Sequence, residues 1–302
     1  MFRLAVAYTG VLMKSRRALT GWLPRYALSH FAKKRPVVAG IRHLVRRHLI
    51  PRGSEWVQVQ QGFAKGISIR IDLSRERSWW AGTHEPSVQD LLRQIIAEDT
   101  VLYDVGAHIG FFSLPAARIA ARVIAFEPDP ENAERLRAHV VRNRLDHKIE
   151  VVETALWSRT TPSITFRTGI PRSRGGVAGE KHQPVLAKGS VIQVRATKLD
   201  NFVSGSIPAP HIIKVDVEGA ASEILIGALE TIQASWPTLI IEIHTCHEHH
   251  EVLQLLEPLA YELVWSIPPE GFPRQCFAFR HFACESGARQ LCKMGQRVSS
   301  SN

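Results

Sequence analysis

Cysteine is scarce in this 302-residue chain, and none occurs in the first 245 residues. No two cysteines form a C-x-x-C pair, and the four present are Cys246, Cys276, Cys284 and Cys292. Domains stapled by disulfides carry more cysteines at closer spacing, so no disulfide framework is expected. Reduced thiols in a cytoplasmic protein are the expectation that follows.

Long apolar runs are also missing. The run from Leu4 to Met13 is about half the length that a membrane-spanning helix needs. No small-residue cleavage site follows it clearly, as one would in a signal peptide. We therefore predict neither a transmembrane helix nor a cleaved signal peptide.

Acidic residues are absent from residues 1–54, which contain twelve Lys or Arg. Apolar residues such as Trp22, Tyr26 and Phe31 lie between these charges, so the segment can form basic amphipathic helices on an anionic membrane surface. A solvated pair of basic helices and an organellar transit peptide are the alternatives. We interpret residues 1–54 as a basic N-terminal extension, with peripheral contact at the inner face of a membrane as its candidate role.

The remaining residues are nearly neutral. They hold 26 of the 38 basic residues and all 28 acidic residues, so the formal net charge of +10 belongs to the extension. A near-neutral body argues against nucleic acid as a partner. An apolar content of 45% is ordinary for a globular protein, and no internal repeat stands out.

Strand-like and helix-like segments alternate along this body. The predicted parallel strands span residues 101–105, 123–126, 149–153, 212–217 and 238–243. The predicted helices span residues 86–96, 111–120, 221–233 and 251–259, and another begins at Asp129 and Pro130. This rhythm predicts an α/β, Rossmann-like fold with a mostly parallel seven-stranded sheet, and residues 262–266 and 275–279 add an antiparallel terminal strand.

Residues 157–195 interrupt the alternation. Strand-like residues 163–167 and 191–195 flank a stretch rich in Pro, Gly and Arg at 171–176, which predicts an inserted hairpin with a mobile loop. We assign residues 55–285 to one domain that contains this insertion. Residues 286–302 are predicted to be a flexible C-terminal tail.

The run D-V-G-A-H-I-G from Asp104 to Gly110 lies where the first parallel strand turns toward its helix. Ligands of such sheets lie beyond the carboxyl ends of the strands, and glycine lets the backbone approach them closely. The spacing G-x-x-x-G differs from the G-x-G-x-x-G that places a pyrophosphate on a helix N-terminus. This difference counts against a nicotinamide-dependent oxidoreductase.

Two further motifs end neighbouring strands. Glu127 follows the second strand, where a carboxylate can accept both hydroxyls of a ribose, although it could also simply cap the next helix. Lys214, Asp216 and Glu218 alternate along the fourth strand and share one side of it. Buried charges are costly, so these side chains are expected to reach a cleft, and a structural ion-pair ladder is the alternative.

These motifs together resemble the FkbM family of S-adenosylmethionine-dependent methyltransferases over about residues 82–279. The family shows D-V-G-A-N-x-G, a glutamate after the second strand, T-L-D, and K-x-D-x-E-G before a helix. The matching segments here are Asp104 to Gly110, Glu127, Lys198 to Asp200, and Lys214 to Gly219. His108 replaces the commonest Asn, and Ala221 stands where an acid often follows the E-G pair. The resemblance implies a class I methyltransferase fold.

The resemblance also implies roles for individual residues. It places five residues around the methionine part of S-adenosylmethionine, namely Asp104, Gly106, Ala107, His108 and Gly110. Glu127 would bind the ribose, and Glu85 resembles the acidic position that precedes the first motif. Thr154, Ala155 and Leu156 would border the adenine, with Trp157 as a stacking partner.

Methyl transfer to oxygen is an in-line displacement that benefits from a base. Asp216 and Glu218 are the preferred candidates, with Lys214 orienting their carboxylates; Glu242 and His244 come next. The expected acceptor is a small molecule or glycan: a hydroxyl of a sugar, a lipid-linked glycan or a secondary metabolite. A non-catalytic membrane-associated protein that keeps the methyltransferase fold is the alternative function.

No metal site is predicted from the sequence. The histidines and cysteine between His244 and His250 do not have the spacing of a usual zinc site, and a His-rich polar loop is the preferred interpretation. A divalent cation bound by Asp216 and Glu242 is the weaker alternative.

Overall fold

The computed structural model describes residues 53–169, 176–177, 189–203, 207–267 and 275–281. Most of the predicted basic extension, most of the loop in the insertion, and the predicted tail at 286–302 lie outside these residues. Within them, no helix is both long enough and apolar enough to cross a membrane.

Strands and helices alternate along the chain, as the sequence predicts. The strands are β1 (Ser54–Gln58), β2 (Ser68–Asp72), β3 (Val101–Val105), β4 (Arg122–Phe126), β5 (Ile149–Val152), β6 (Ala155–Leu156), β7 (Thr161–Arg167), β8 (Gly176–Val177), β9 (Val191–Thr197), β10 (Ile212–Val215), β11 (Thr238–Ile243), β12 (Tyr261–Ser266) and β13 (Gln275–His281). The helices are α1 (Arg77–Ala81), α2 (Pro86–Ile95), α3 (Ser113–Ala116), α4 (Pro130–Arg142), α5 (Leu199–Phe202), α6 (Ala221–Ile226), α7 (Leu229–Ser235) and α8 (Cys246–Leu256).

Seven strands form the central sheet, in the order β5-β4-β3-β10-β11-β13-β12. Neighbouring strands from β5 to β11 pair in parallel, and β13 pairs antiparallel with both β11 and β12. The predicted class I methyltransferase fold, with its antiparallel terminal strand, is confirmed. The chain order reverses between β3 and β10, and this is the place where open α/β sheets bind ligands.

Apolar side chains cover both faces of the sheet. Strand β3 is buried at every position, because its residues alternate between the two cores. Leu102 packs on one face with Leu91, Leu92 and Leu136, and Tyr103 packs on the other with Ile224 and Ile232. The helices α2 and α4 therefore cover one face, and α6 and α7 cover the other.

The antiparallel pair β1–β2 packs on α4 through a buried histidine. His139 Nε2 accepts the N–H of Arg70 on β2 at 2.7 Å, and its Nδ1 lies 2.9 Å from the carbonyl oxygen of Ile109. With the ring neutral, both contacts are satisfied when Nδ1 carries the proton. Burial lowers the pKa of His139 to about 4. This ring therefore joins the hairpin to the loop that follows β3.

Helix α4 begins as predicted, because Asp129 accepts the N–H of Glu131 at 3.0 Å and Pro130 is the first helical residue. Two other predicted helices are wrong in extent. The predicted helix 111–120 shortens to α3 and continues as turns, and it contains Pro115, which has no N–H to donate. The predicted helix 221–233 divides into α6 and α7 at Gly227, where a Cβ would overlap the carbonyl oxygen of Trp157.

The His-rich segment is helical, and the predicted loop there is wrong. Helix α8 begins at Cys246, with Thr245 accepting the N–H of Glu248 at 3.0 Å. This T-x-x-E arrangement is a capping box signal in the sequence. The helix ends at Leu256 and continues as a 3₁₀ turn over Glu257–Leu259, where Pro258 cannot donate a helical hydrogen bond.

The insertion forms a small sheet of its own. Strands β7 and β9 pair antiparallel, which confirms the two predicted strands, and the order of the sheet is β6-β9-β7-β8. Strand β6 pairs in parallel with β9 and follows directly after β5. The insertion is thereby attached beside the carboxyl end of the central sheet.

The buried ring of His139 generates a prediction about acid stability. Because the folded pKa lies near 4 and the unfolded pKa near 6.5, the unfolded chain binds the proton first as pH falls. The stabilisation is complete above pH 6.5 and is lost between pH 6.5 and about 4. From pH 7.5 to 5.5, His139 should contribute a decrease of about 1.4 kcal/mol to the free energy of unfolding.

Urea denaturation of the wild type and of His139→Gln at both pH values measures this contribution. The variant should show the smaller decrease. The control His147→Gln, at an exposed position, should behave as the wild type. Equal decreases in the wild type and His139→Gln would contradict the assignment.

Candidate active site

A cleft of about 630 Å³ opens at the carboxyl ends of β3, β4 and β10. The insertion contributes Phe166 and Val177 to its wall. The other lining residues are Val105, Gly106, His108, Phe126, Glu127, Pro128, Asn132, Thr154, Ala155, Leu156, Trp157, Gly176, Asp216, Val217, Glu218, Ala220 and Ile224. The cleft therefore lies at the point where the strand order reverses, as the fold predicts.

Gly106 forms the turn between β3 and the following loop with φ of +81°, a left-handed conformation. A Cβ on Gly106 would overlap the carbonyl oxygen of Asp216, and a Cβ on Gly110 would overlap the side chain of Leu136. Glycine is thus required by the contact with the neighbouring strand and helix. From the sequence alone, the close approach of a ligand explains these glycines. In the structure they are explained by contacts with Asp216 and Leu136.

Glu127 follows β4 and is 5% exposed. Its carboxylate accepts the backbone N–H of His108 at 2.7 Å and that of Asp129 at 2.9 Å. Burial raises the pKa of Glu127 to about 7, although these two N–H groups and Asn132 act to lower it. The backbone thus fixes the carboxylate at the cleft wall, where its remaining lone pairs can accept hydroxyl groups.

His108 lies in the left-handed region with φ of +51°, which Asn and His tolerate better than most residues. Its ring contacts Trp79, with the ring centroids 4.7 Å apart. Burial, followed by the nearby Arg135, lowers the pKa of His108 well below its ordinary value. The ring is neutral at physiological pH, and its buried Nε2 has no hydrogen-bond partner among the described residues.

The segment after β5 forms the far wall of the cleft. Ala155 and Leu156 make up β6, and the N–H of Trp157 donates to the carbonyl oxygen of Thr197 at 2.9 Å. Thr154 donates its hydroxyl to the carbonyl oxygen of Arg195 at 3.2 Å. This wall is mostly apolar and is suited to one face of a planar heterocycle.

Lys214 lies between two carboxylates at the sheet centre. Its Nζ is 3.1 Å from Asp216 Oδ2 and 3.7 Å from Asp104 Oδ1, and it lies 4.7 Å from the ring centroid of Phe112. Burial opposes the charge of Lys214, but Asp216, Asp104 and Glu85 raise its pKa above the ordinary value. Lys214 is therefore a buried, permanently charged ammonium.

The two aspartates beside Lys214 differ. Asp104 is 1% exposed and accepts the hydroxyl of Ser113 at 2.5 Å; burial raises its pKa in spite of Lys214. Asp216 is partly exposed to the cleft, and Lys214 lowers its pKa against the effect of burial. Asp216 is consequently a carboxylate, while the charge on Asp104 is disfavoured by its surroundings.

A second group of polar side chains lies behind Asp216, at the end of β11. His244 Nε2 is 3.5 Å from Glu242 Oε1 and 3.6 Å from Glu218 Oε2. Burial acts against protonation of His244, but Glu242, Glu218 and Asp216 raise its pKa above the ordinary value. The side of the cleft at Asp216 and Glu218 is therefore strongly acidic.

The structure brings most of the predicted site residues to one cleft. Eight line it, namely Gly106, His108, Glu127, Thr154, Ala155, Leu156, Asp216 and Glu218. Five are not among its lining residues, namely Glu85, Asp104, Ala107, Gly110 and Lys214. Glu85 is at the N-cap of α2, 3.3 Å from His84, and is close enough to Lys214 to raise its pKa.

Sequence reasoning missed Asn132, in the first turn of α4, which is buried and lines the cleft beside Glu127. Its signal is a polar residue three positions after the N-cap Asp129, on the turn that faces the strand ends. The apolar residues Phe166 and Val177 were also missed. The sequence of an insertion does not show which part of the sheet the insertion covers.

An acidic cleft with a fixed carboxylate after β4 and an apolar wall after β5 fits an adenosyl group that carries a positive sulfur. Glu127 can accept two ribose hydroxyls, and the wall at Leu156 can contact the base. The described residues that line the cleft include no Lys or Arg to pair a pyrophosphate. The site thus fits S-adenosylmethionine.

Comparison with known proteins finds two methyltransferases among the relatives of this chain. Hexuronic acid methyltransferase AglP of Haloferax volcanii is 27% identical over 228 residues, which cover 68% of this chain and 87% of AglP. The 31-O-demethyl-FK506 methyltransferase FkbM of Streptomyces tacrolimicus is 28% identical over 172 residues, or 48% of this chain and 65% of that protein.

A solved structure, methyltransferase FkbM of Methylobacillus flagellatus, aligns with a TM-score of 0.42 at 20% identity. The alignment covers 61% of this chain and 44% of that one. Residues 104–263, more than half of the 302 residues, match the family described as Methyltransferase FkbM domain, and this match begins at Asp104 of the first motif. The chain belongs to the FkbM family of methyltransferases, and its cofactor is S-adenosylmethionine.

Proposed function

We propose that this methyltransferase transfers the methyl group to an oxygen of a sugar, a lipid-linked glycan or a secondary metabolite. The observation that carries the proposal is the joint placement of Glu127, Asp216 and Glu218 on one cleft at the reversal of the strand order. One relative acts on a hexuronic acid and the other on 31-O-demethyl-FK506, as their names say.

Glu127 and the apolar wall are proposed to hold the cofactor. Glu127 would accept the two ribose hydroxyls, and residues 154–156 would border the adenine. The loop at Gly106 and His108, supported from behind by Asp104, Ala107 and Gly110, would surround the methionine part. When bound, S-adenosylmethionine supplies a methyl group on a positively charged sulfur, which the acidic residues of the cleft attract.

Asp216 and Glu218 are proposed to receive the acceptor. Both side chains face the cleft beside Gly106, so an acceptor hydroxyl placed there can donate its hydrogen bond to a carboxylate. Lys214 is a positioning residue, because its Nζ contacts Asp216 Oδ2 and lies behind the wall. Glu218 is preferred as the base, since its carboxylate does not share that ammonium contact.

The basic composition of residues 1–54 favours an acceptor that is presented at an anionic membrane surface. Incubation of the full chain with methyl-labelled S-adenosylmethionine tests the function directly. Acceptors are a soluble uronic acid glycoside, a lipid-linked form of it and a macrolide with a free hydroxyl. Transfer of label to an acceptor oxygen supports the proposal; binding of the cofactor without transfer to any cellular fraction favours the non-catalytic alternative.

The carboxylate of Glu127 should dominate cofactor affinity. A charged hydrogen bond contributes about 1.5–3 kcal/mol, so Glu127→Gln should weaken S-adenosylmethionine binding by a factor of roughly 10 to 150. Calorimetric titration measures the change. Glu153→Gln is the control. Glu153 follows β5 at the same edge of the sheet as Glu127 follows β4, but it pairs with Arg137 at the surface. Equal affinities in the two variants would contradict the assignment.

Cofactor affinity should also depend on pH through Glu127. Its pKa is near 7, and only the carboxylate accepts two hydroxyls, so affinity should fall as pH decreases from 8 to 6, by about tenfold. Methylthioadenosine is the suitable probe because it has no amino acid group of its own to titrate. The Glu127→Gln variant should bind this probe with no such dependence, and a wild-type affinity that is constant over the range would refute the mechanism.

Removal of the base should slow the chemical step. Glu218→Gln should lower kcat by about 100-fold or more while the affinity for S-adenosylmethionine stays close to that of the wild type. Single-turnover kinetics with the identified acceptor separates the two effects. The exposed Glu230→Gln serves as the control. An unchanged kcat in Glu218→Gln would transfer the role to Asp216.

A further inference from the structure

Asp216, Glu242 and His244 end two adjacent parallel strands and converge. One ligand atom from each lies within 4.8 Å of the other two. Two ligands opposite each other at about 2.1–2.2 Å from an ion are about 4.3 Å apart, and ligands at a tetrahedral angle are about 3.4 Å apart. A cation therefore fits between these atoms after movements of a few tenths of an ångström.

The imidazole of His244 is the observation that points to a ligand. The residue is 5% exposed, and neither ring nitrogen has a hydrogen-bond partner among the described residues. Its Nε2 faces Glu242 Oε1 at 3.5 Å and Glu218 Oε2 at 3.6 Å. These distances are at or beyond the outer limit of a hydrogen bond and close to the spacing of two ligands on one ion.

The other ring nitrogen has the surroundings of a metal-bound histidine. Nδ1 faces Glu248 Oε2 at 3.9 Å, and the same oxygen accepts the backbone N–H of His244 at 2.8 Å. Glu248 Oε1 also accepts the N–H of Ala221 at 2.9 Å, so this carboxylate is fixed at the N-terminus of α6. A ligating histidine commonly directs its second nitrogen at such a carboxylate, which orients the ring.

The charges at this place also favour a cation. Three carboxyl groups, those of Asp216, Glu218 and Glu242, surround the His244 ring, and the Lys214 ammonium contacts Asp216. Buried carboxylates at such short range repel unless a proton or a cation lies between them. The alternative to a metal ion is an imidazolium ring on His244, with no ion bound.

We propose that Asp216, Glu242 and His244 bind a divalent first-row cation such as Mn²⁺ beside the acceptor side of the cleft. Two carboxylates and one imidazole match the ligand preference of Mn²⁺ and Zn²⁺ better than that of Mg²⁺ or Ca²⁺. Asp216 lines the cleft, so the ion would contact the acceptor oxygen and lower its pKa. This catalytic part rests on the proposed function; the binding of the ion does not.

Titration of the full chain with Mn²⁺ tests the site after treatment with a chelator and dialysis. Electron paramagnetic resonance counts free Mn²⁺ and detects nitrogen from a coordinated imidazole in the bound form. We expect one ion per chain and an imidazole signal in the wild type. Glu242→Gln and His244→Gln should weaken binding by at least about tenfold, and Zn²⁺ should compete.

The ion pair between the exposed His247 and the half-buried Glu251, 3.2 Å apart on α8, provides the matched control. His247→Gln should bind Mn²⁺ as the wild type does. The absence of bound Mn²⁺ and Zn²⁺ in the wild type, bound Mn²⁺ without an imidazole signal, or loss of the ion in His247→Gln alone would each overturn the proposal.

Two readouts separate this proposal from the proposed function. The imidazole signal is measured on the wild type. The result therefore does not depend on whether a variant folds. Calorimetry of S-adenosylmethionine binding in the presence of the chelator reports the cofactor site independently. Cofactor binding without Mn²⁺ binding rejects the metal site and leaves the methyltransferase assignment intact, whereas Mn²⁺ binding without cofactor binding does the reverse.

Discussion

Backbone hydrogen bonds that continue past the ends of the parallel strands hold the whole site together. The N–H of Gly106 donates to Phe126 at 3.0 Å, that of Asp216 to Val105 at 2.9 Å, and that of Glu127 to Val152 at 3.1 Å. Each functional loop is thus tied to the strand beside it before any side chain contributes. The loops after β3 and β10 lie so close together that a Cβ on Gly106 would overlap the carbonyl oxygen of Asp216. Because these loops are bonded to neighbouring strands, the positions of Glu127 and Asp216 follow from the register of the sheet.

The alternately charged residues on and after β10, from Lys214 to Glu218, serve both stability and function. Lys214 stands opposite Asp104 in the register of β10 and β3, where both side chains are buried 3.7 Å apart, whereas Asp216 lies beyond the last strand residue, Val215, and reaches the cleft. The cleft and the ion-pair ladder were alternatives from the sequence, and the structure contains both. The Lys214 ammonium faces Asp104 in the core and orients Asp216 at the surface of the cleft.

The sequence predicted the fold well because its signals are periodic. Buried runs such as 101–105 and the N-cap pair Asp129 and Pro130 determine elements by local pattern, and the carboxyl ends of parallel strands must then meet. Its failures concern contacts between distant segments. The break at Gly227 depends on the carbonyl oxygen of Trp157. The start of α8 is a failure of a different kind. Thr245 and Glu248 form a local capping signal in the sequence, but the segment was interpreted as a loop because of its histidines.

Charge links the proposed acceptor to the proposed metal site. A cleft whose acceptor side carries Asp216 and Glu218 favours a neutral hydroxyl, which can donate to a carboxylate, and disfavours an anionic acceptor. Lys214 cannot relieve that repulsion, because its ammonium is buried between Asp104 and Asp216. A divalent cation beside Asp216 would reduce this negative charge and give an anionic sugar an oxygen-binding partner. The metal content of the proposed site would therefore decide which class of acceptor the same carboxylates accommodate.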